Sequence, residues 1–392
     1  MDSHPVLIVL LVAVVAPLLA EIPIGVRVPA VVLEMVLGIV IGPQVLGLAT
    51  AEGFLELLGG KLGLAALFFM AGMELDLDRV KGRALALAVR GWGMSLALGL
   101  AAMLYVLPIV QSPMMVGLAL STTSLGTLLP ILRDAAVLDS AFGRLLLAAG
   151  AVGEFGPIVV MSLALTGKFS GWVESGLMLV FVVIAFAAAR IALGARPPKI
   201  LALLTRTMES SSQLPVRISL LLLSCFAVMS EHFGFERIPG AFAAGMVVGL
   251  ASRGAQGKPL RTKIEAVCFG FLVPFFFVTS GIKFDLARLL HSTQAMLLLP
   301  MFLILLFVVR GTPVFLYRRD LPAGQRLPFA LYTATALPLV VAISNIGVAT
   351  QQMRPDIAAA LVGAALLSVL LFPTLAGVLL SKSATLSQTP AR

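Results

Sequence analysis

Two charged side chains stand where the surrounding sequence offers them no water. Glu154 lies about thirteen residues into the apolar run 141–166, in LLLAAGAVGEFGPIVVMSLAL. Ala148, Ala149, Gly150, Ala151, Gly153 and Gly156 surround it, small residues that allow close helix approach and leave room for an ion with its water. An ionisable group at such depth is costly and marks function more often than packing. The bland alternative is a carboxyl that is permanently paired or protonated. The functional one is a carboxylate for which a proton and a cation compete. Arg310 sits equally deep, in LLFVVRGTPVFLY, eight residues before the interface marked by Arg318 and Arg319. Eight residues of helix rise about 12 Å, long for an arginine snorkelling to the surface. A buried partner is expected instead, either helix-end carbonyls or Glu154. Because a guanidinium keeps its proton, Arg310 is read as a fixed, charge-compensating cation and not as a proton carrier.

Oxygen ligands for a hard cation are at hand in two polar interruptions. The first is Ser121-Thr122-Thr123-Ser124, followed by Gly126 and Pro130, within the apolar run 113–132. The second, Thr333-Ala334-Thr335-Ala336-Leu337-Pro338, lies within 325–348. Ser, Thr and Pro also bend membrane helices harmlessly, but at matched positions these two read as broken helices crossing near the midplane. Other charges within apolar runs carry less. Glu34 is about five residues into its run, able to reach a helix end or an interface, and is read as structural; Lys61 and Arg90 lie near run ends. His4, His232 and His291 are expected at the outer surface as ordinary interface residues.

The elements that position these groups follow from composition. Of 392 residues, 59% are hydrophobic and 12% charged, and the mean hydropathy is +1.06, against roughly 25% charged in a soluble domain. A single soluble core cannot hide that much apolar surface, whereas a bilayer can. The net charge of +9 does not argue for nucleic acid, because the basic residues are scattered through short loops and not gathered on one face. Cys225 and Cys268 both lie in apolar stretches and are expected as packed thiols, with no disulfide or metal framework. MDSHPVL lacks the positive start of a secretory signal, so the first apolar run is expected as a mature helix.

At roughly 20 apolar residues per span, spans centre on 5–21, 29–48, 54–74, 84–108, 113–132, 141–166, 173–195, 213–233, 238–252, 263–282, 293–317, 325–348 and 356–380. With the N-terminus outside and the C-terminus cytoplasmic, 19 Lys and Arg residues fall in cytoplasmic segments and 5 outside, as the positive-inside rule requires. The reading is an all-α polytopic membrane protein of about thirteen transmembrane helices: a six-helix repeat over 5–166, a linker helix at 173–195 and a second six-helix repeat over 213–380. An odd linker inverts the second repeat, so span n corresponds to span n+7, an arrangement common in secondary transporters. The two interruptions then occupy equivalent positions, the fifth and twelfth spans.

These motifs resemble the cation:proton antiporter superfamily, in its bacterial Kef-like and sodium/proton exchanger branch. The resemblance runs over nearly the whole chain through PAVVLEMVLGIVIGPQVLG, LGLAALFFMAGMELDLD, LALSTTSLGTLLPILRDAAVLDSAFGRLLLAAGAVGEFGPIVV, IPGAFAAGMVVGL and FLVPFFFVTSGIKFDL, in family order. It implies that Glu154 is the essential acid, that Ser121, Thr122, Thr123 and Ser124 form the unwound ion-binding crossing with Thr333, Thr335 and Pro338 as the opposing break, and that Arg310 is the family's basic residue. Spans 4, 5, 6, 11, 12 and 13 would form a moving core, and spans 1, 2, 3, 8, 9 and 10 a scaffold that dimerises in a bacterial inner membrane. The sequence departs from the pattern in two ways. Gly153 stands where the family places an acid or amide, and the nucleotide-binding regulatory domain of many Kef-type proteins is not expected in this chain.

The resemblance therefore implies a sodium or potassium:proton antiporter, working by alternating access and electroneutral with one cation per proton. It needs no cofactor beyond the transported ions. A sodium-coupled organic-anion symporter of related fold and a non-transporting membrane sensor are the rivals. No cluster of His, Asp and Cys suggests an enzyme.

Overall fold

The computed structural model describes residues 4–22, 28–74, 82–106, 113–125, 127–128, 132, 137–138, 140–165, 176, 180, 183, 187, 207–208, 210–233, 237–252 and 257–387. Among these the regular structure is all helical. In chain order the helices are α1 (His4–Ala20), α2 (Ala30–Ile41), α3 (Glu56–Glu74), α4 (Gly82–Val106), α5 (Pro113–Leu120), α6 (Ala141–Leu165) and α7 (Leu214–His232). They continue as α8 (Arg237–Ala251), α9 (Lys258–Lys283), α10 (Leu286–His291), α11 (Thr293–Gly311), α12 (Ala323–Thr333), α13 (Pro338–Ala349) and α14 (Pro355–Ser387). Twelve of the thirteen expected spans coincide with these helices; of the seventh, 173–195, only residues 176, 180, 183 and 187 are described, each helical, and Gly126 and Pro130 lie outside the described residues. Eight helices among the described residues are long and apolar enough to cross a membrane. Large apolar side chains such as Leu297, at 69% exposed, face outward, while residues 328–344 are buried without interruption. Outward apolar faces around a polar-containing interior suit lipid as the solvent.

The chain divides into two compact units. The first comprises 1–13, 50–75 and 158–280. Its centre is α3 against α8, two helices whose backbones touch because glycines remove the side chains between them. A Cβ on Gly72 would stand 2.2 Å from the Phe242 carbonyl oxygen, and one on Gly245 would stand 2.0 Å from that of Phe69. Arg261 closes the end of α3 by donating Nη2 to the Met73 carbonyl at 2.6 Å, satisfying an acceptor that the helix leaves open. Residues 56–63 of α3 and 268–272 of α9 are wound as π-helix, which hydropathy does not encode.

The second unit comprises 14–49, 76–157 and 281–392, and holds every residue of the candidate site. The second span, expected over 29–48 and in the scaffold set, groups here. It also ends earlier than expected, at Ile41. The cause is Pro43, whose ring drives the preceding Gly42 into an extended conformation (φ −66°, ψ 171°) and stops the helix. Residues 43–46 form a turn, pinned by Gln44, which donates Nε2 to Asp285 at 3.0 Å and accepts from the Ala287 amide at 2.7 Å. Cys268 is buried as expected, but Cys225 is exposed on its helix, because an apolar neighbourhood in a membrane chain does not distinguish core from outward face.

Candidate functional site

α5 stops at Leu120 because four consecutive hydroxyl residues offer the backbone competing hydrogen bonds. Ser121 Oγ donates back to the Leu118 carbonyl at 2.8 Å and Thr122 Oγ1 to that of Ala119 at 2.7 Å, capping the helix they terminate. Thr123 and Ser124 then send their amides outward: Thr123 N to the Gly153 carbonyl of α6 at 3.1 Å, and Ser124 N to the Thr335 carbonyl at 2.8 Å. Helix resumes at Leu125, with Leu128 N bonded to the Ser124 carbonyl at 3.3 Å. The Leu125 amide opens that new turn and donates to Glu154 Oε2 at 3.2 Å. A carboxylate at the amide end of a helix sits at its positive pole. Glu154 is 7% exposed and lies about 20 Å along α6 at 1.5 Å per residue, within a hydrocarbon core of roughly 30 Å.

The second interruption joins α12 to α13. Thr335 N bonds back to the Tyr332 carbonyl at 3.2 Å, and Thr335 Oγ1 to that of Leu331 at 3.2 Å. Pro338 occupies the first turn of α13, where its missing N–H costs nothing. Between them, Ser368 of α14 clamps the chain: its Oγ accepts from the Ala336 amide at 3.1 Å and lies 3.1 Å from the Ala336 carbonyl. The two interruptions meet through Ser124 N and the Thr335 carbonyl, and through Thr123 Oγ1, which donates to the Thr333 carbonyl at 2.5 Å.

Arg310, 3% exposed, is the buried knot of this arrangement. Its Nε donates to Thr123 Oγ1 at 2.8 Å and to the Thr333 carbonyl at 3.4 Å; Nη1 reaches Ser95 Oγ of α4 at 3.3 Å and Nη2 the Ala149 carbonyl of α6 at 3.2 Å. The guanidinium therefore lies at the carbonyl end of α12, the pole that suits a cation. Thr333 Oγ1 returns a bond to the Arg310 carbonyl at 3.1 Å.

All nine candidate residues lie in this second unit. Thr123, Ser124, Glu154, Arg310, Thr333 and Thr335 are joined directly or through one intermediary; Ser121, Thr122 and Pro338 shape the helix ends. Sequence reading missed Ser95 and Ser368, single hydroxyls in apolar runs whose only signal was their polarity. Ser95 also donates to the Val309 carbonyl at 2.8 Å, fixing the turn that carries Arg310. Glu34 does not join the site. Instead of reaching a helix end or an interface it is 5% exposed, and its Oε2 has no hydrogen-bond partner among the described residues. Lys61 and Arg90 are both exposed.

Crossed broken spans, a buried carboxylate and a buried arginine in a many-helix membrane protein define a class of ion transporter fold, and comparison with known proteins bears this out. The chain belongs to the sodium/hydrogen exchanger transmembrane family, whose model matches residues 9–382. It is similar to the putative Na(+)/H(+) antiporter YjbQ of Bacillus subtilis, 24% identical over 93% of this chain and 61% of that protein. The Na(+)/H(+)-K(+) antiporter GerN of Bacillus cereus is 30% identical over 66% of each chain. Cation/H(+) antiporter 18 of Arabidopsis thaliana is 26% identical over 72% of this chain and 37% of its own length. The chain thus spans about three fifths or less of two of these relatives. Among solved structures, the sodium proton antiporter MjNhaP1 of Methanocaldococcus jannaschii superposes with a TM-score of 0.69 over 97% of both chains at 18% identity, sharing the fold.

Proposed function

We propose that this chain exchanges a monovalent cation, sodium or potassium, for protons, with Glu154 as the carboxylate for which the two compete. The observation that carries this reading is the placement of Glu154: deep in a span, buried, and bonded to the amide that opens a helix just after the polar break. A carboxylate so held can take a proton from one side and give it up for a cation on the other. Oxygens of Ser121, Thr122, Thr123 and Ser124 complete the ligand set that a hard cation prefers. Arg310 supplies the compensating charge when no transported cation is bound.

One carboxylate beside one fixed cation favours a single cation per proton and electroneutral exchange. Access alternates as the spans carrying the two breaks move relative to a scaffold, within repeats over 5–166 and 213–380 joined by a linker helix at 173–195. The protein would act as a homodimer in an inner cell membrane, with its N-terminus outside and C-terminus inside; the 19 to 5 distribution of loop Lys and Arg supports that orientation.

The test is purified protein in liposomes carrying an imposed pH gradient. Sodium or potassium should dissipate the gradient at a rate unaffected by a valinomycin-clamped potential, and Glu154→Gln should abolish the effect. Dissipation that survives Glu154→Gln would sink the mechanism. A rate that follows the potential would remove electroneutrality alone.

A further inference from the structure

α6 carries glycine at 150, 153 and 156, and each is covered by a side chain from elsewhere in the same unit. A Cβ on Gly150 would meet Leu125 Cδ1 at 2.9 Å, and one on Gly156 would meet the Trp92 ring at 2.5 Å. At Gly153 the occupant is different in kind: Arg310 Nη2 at 2.6 Å, with Thr123 Oγ1 at 2.9 Å behind it. Two of these positions receive apolar groups, and the middle one receives a positive charge.

We infer that Gly153 is a positioning residue of the ion site, its missing side chain being the seat in which the Arg310 guanidinium lies; this rests on the antiporter reading. The Ala149 carbonyl that accepts from Nη2 is one turn before Gly153, so the guanidinium lies along the surface strip that a side chain at 153 would fill. The group cannot step aside cheaply. Nε is held by Thr123 Oγ1 and the Thr333 carbonyl and Nη1 by Ser95 Oγ, and a planar fork moves all its donors together. Gly153 is also the residue next to Glu154. A side chain there would dislodge the fixed charge from the helix that bears the carboxylate, and would loosen the crossing that Arg310 ties.

A packing role has to be separated from this one, because Gly153 also admits Thr123. The experiment is a double-mutant cycle between Gly153→Ala and Arg310→Lys, read by cation-driven pH-gradient dissipation in liposomes and by thermal unfolding in detergent. Lysine has no atom equivalent to Nη2. In the native background, Gly153→Ala should lower exchange about tenfold and the unfolding temperature by several degrees. In the Arg310→Lys background the same change should alter exchange less than about twofold relative to Arg310→Lys alone and the unfolding temperature by about a degree, so that removing Nη2 rescues most of the penalty of a side chain at 153. Such rescue is foreign to a glycine needed only for helix approach. Equal losses in both backgrounds, on both measurements, would overturn the inference and leave Gly153 as a contact for Thr123. If the native chain moves no cation, the antiporter reading fails, and the unfolding cycle alone decides whether Gly153 seats Arg310.

Discussion

The two broken spans look alike in outline and differ in chemistry. The first, at Ser121 to Ser124, gives donors to its surroundings: the amides of Thr123, Ser124 and Leu125 and the Thr123 hydroxyl all point away to α6, to the other break or to Glu154. The second, at Ala334 to Leu337, gives acceptors through the flanking Thr333 carbonyl and the Thr335 carbonyl within it, and is closed from behind by Ser368. Both breaks touch the guanidinium, through Thr123 Oγ1 and the Thr333 carbonyl, but only the first is continued by the amide that reaches the carboxylate. Each of the two ionisable groups meets the helix pole that suits its charge. The Thr333 carbonyl, taken by both Thr123 Oγ1 and Arg310 Nε, has its two lone pairs in use. On the proposed reading, the oxygens left for a transported ion belong mainly to the first break.

That asymmetry can be broken in graded steps. Removing the cation should do most: Arg310→Ala strips Thr123, Thr333, Ser95 and Ala149 of a shared donor, and exchange in liposomes should fall about a hundredfold, equivalent to roughly 2.7 kcal/mol. Thr123→Val takes away the hydroxyl that joins the breaks, with an expected loss of about tenfold, whereas Thr123→Ser keeps the bond and should stay within about twofold. Equal losses for the two would mean that the methyl and not the hydroxyl matters. Ser368→Ala should separate the breaks by kind. It leaves the Ala336 amide without its acceptor at a cost of about 1–3 kcal/mol of stability, seen as a lower unfolding temperature, while exchange stays within about threefold. Ser121→Ala should raise the apparent KM for the cation about threefold with the maximal rate unchanged, the mark of a ligand lost equally from ground and transition states.

Asp285, outside both breaks, serves as the control. Partial burial opposes its ionisation, but the Arg288 amide, Gln44 and the Arg288 guanidinium outweigh it and hold the carboxyl below the usual range. A depressed native value means the stabilisation is complete above about pH 4 and is lost as pH falls through that value. Asp285→Asn should therefore leave exchange at neutral pH unaltered and flatten the acid limb of the unfolding profile.

Much of the architecture was legible because a bilayer imposes a simple code. Apolar length sets the spans, and runs such as Ser121 to Ser124 announce where a helix must fail. Glu154 and Arg310 could be singled out because charge at depth is costly wherever it occurs. Legibility ended where a role depends on what lies across the fold. Ser95 and Ser368 are ordinary residues of apolar helices until Arg310 and Ala336 arrive beside them. Cys225 and Cys268 have similar neighbours in sequence and opposite exposure. Gly153 read as an absence, the missing partner of Glu154, whereas in space it is filled by an arginine from 157 positions along the chain. The π-helical turns of α3 and α9 have no counterpart in hydropathy, since they shift register without changing composition.

The amides of Thr123 and Ser124 carry one more consequence. They are non-helical, yet each is bonded to a carbonyl of another segment and both residues are buried. In deuterated buffer they should hold their protons as long as a helix interior does, because releasing Thr123 means parting the first break from α6 and releasing Ser124 means parting the two breaks. Irregular backbone ordinarily exchanges first. Here it should exchange among the last, and an isotope clock on those two residues would report whether the crossing travels intact or comes undone as the protein works.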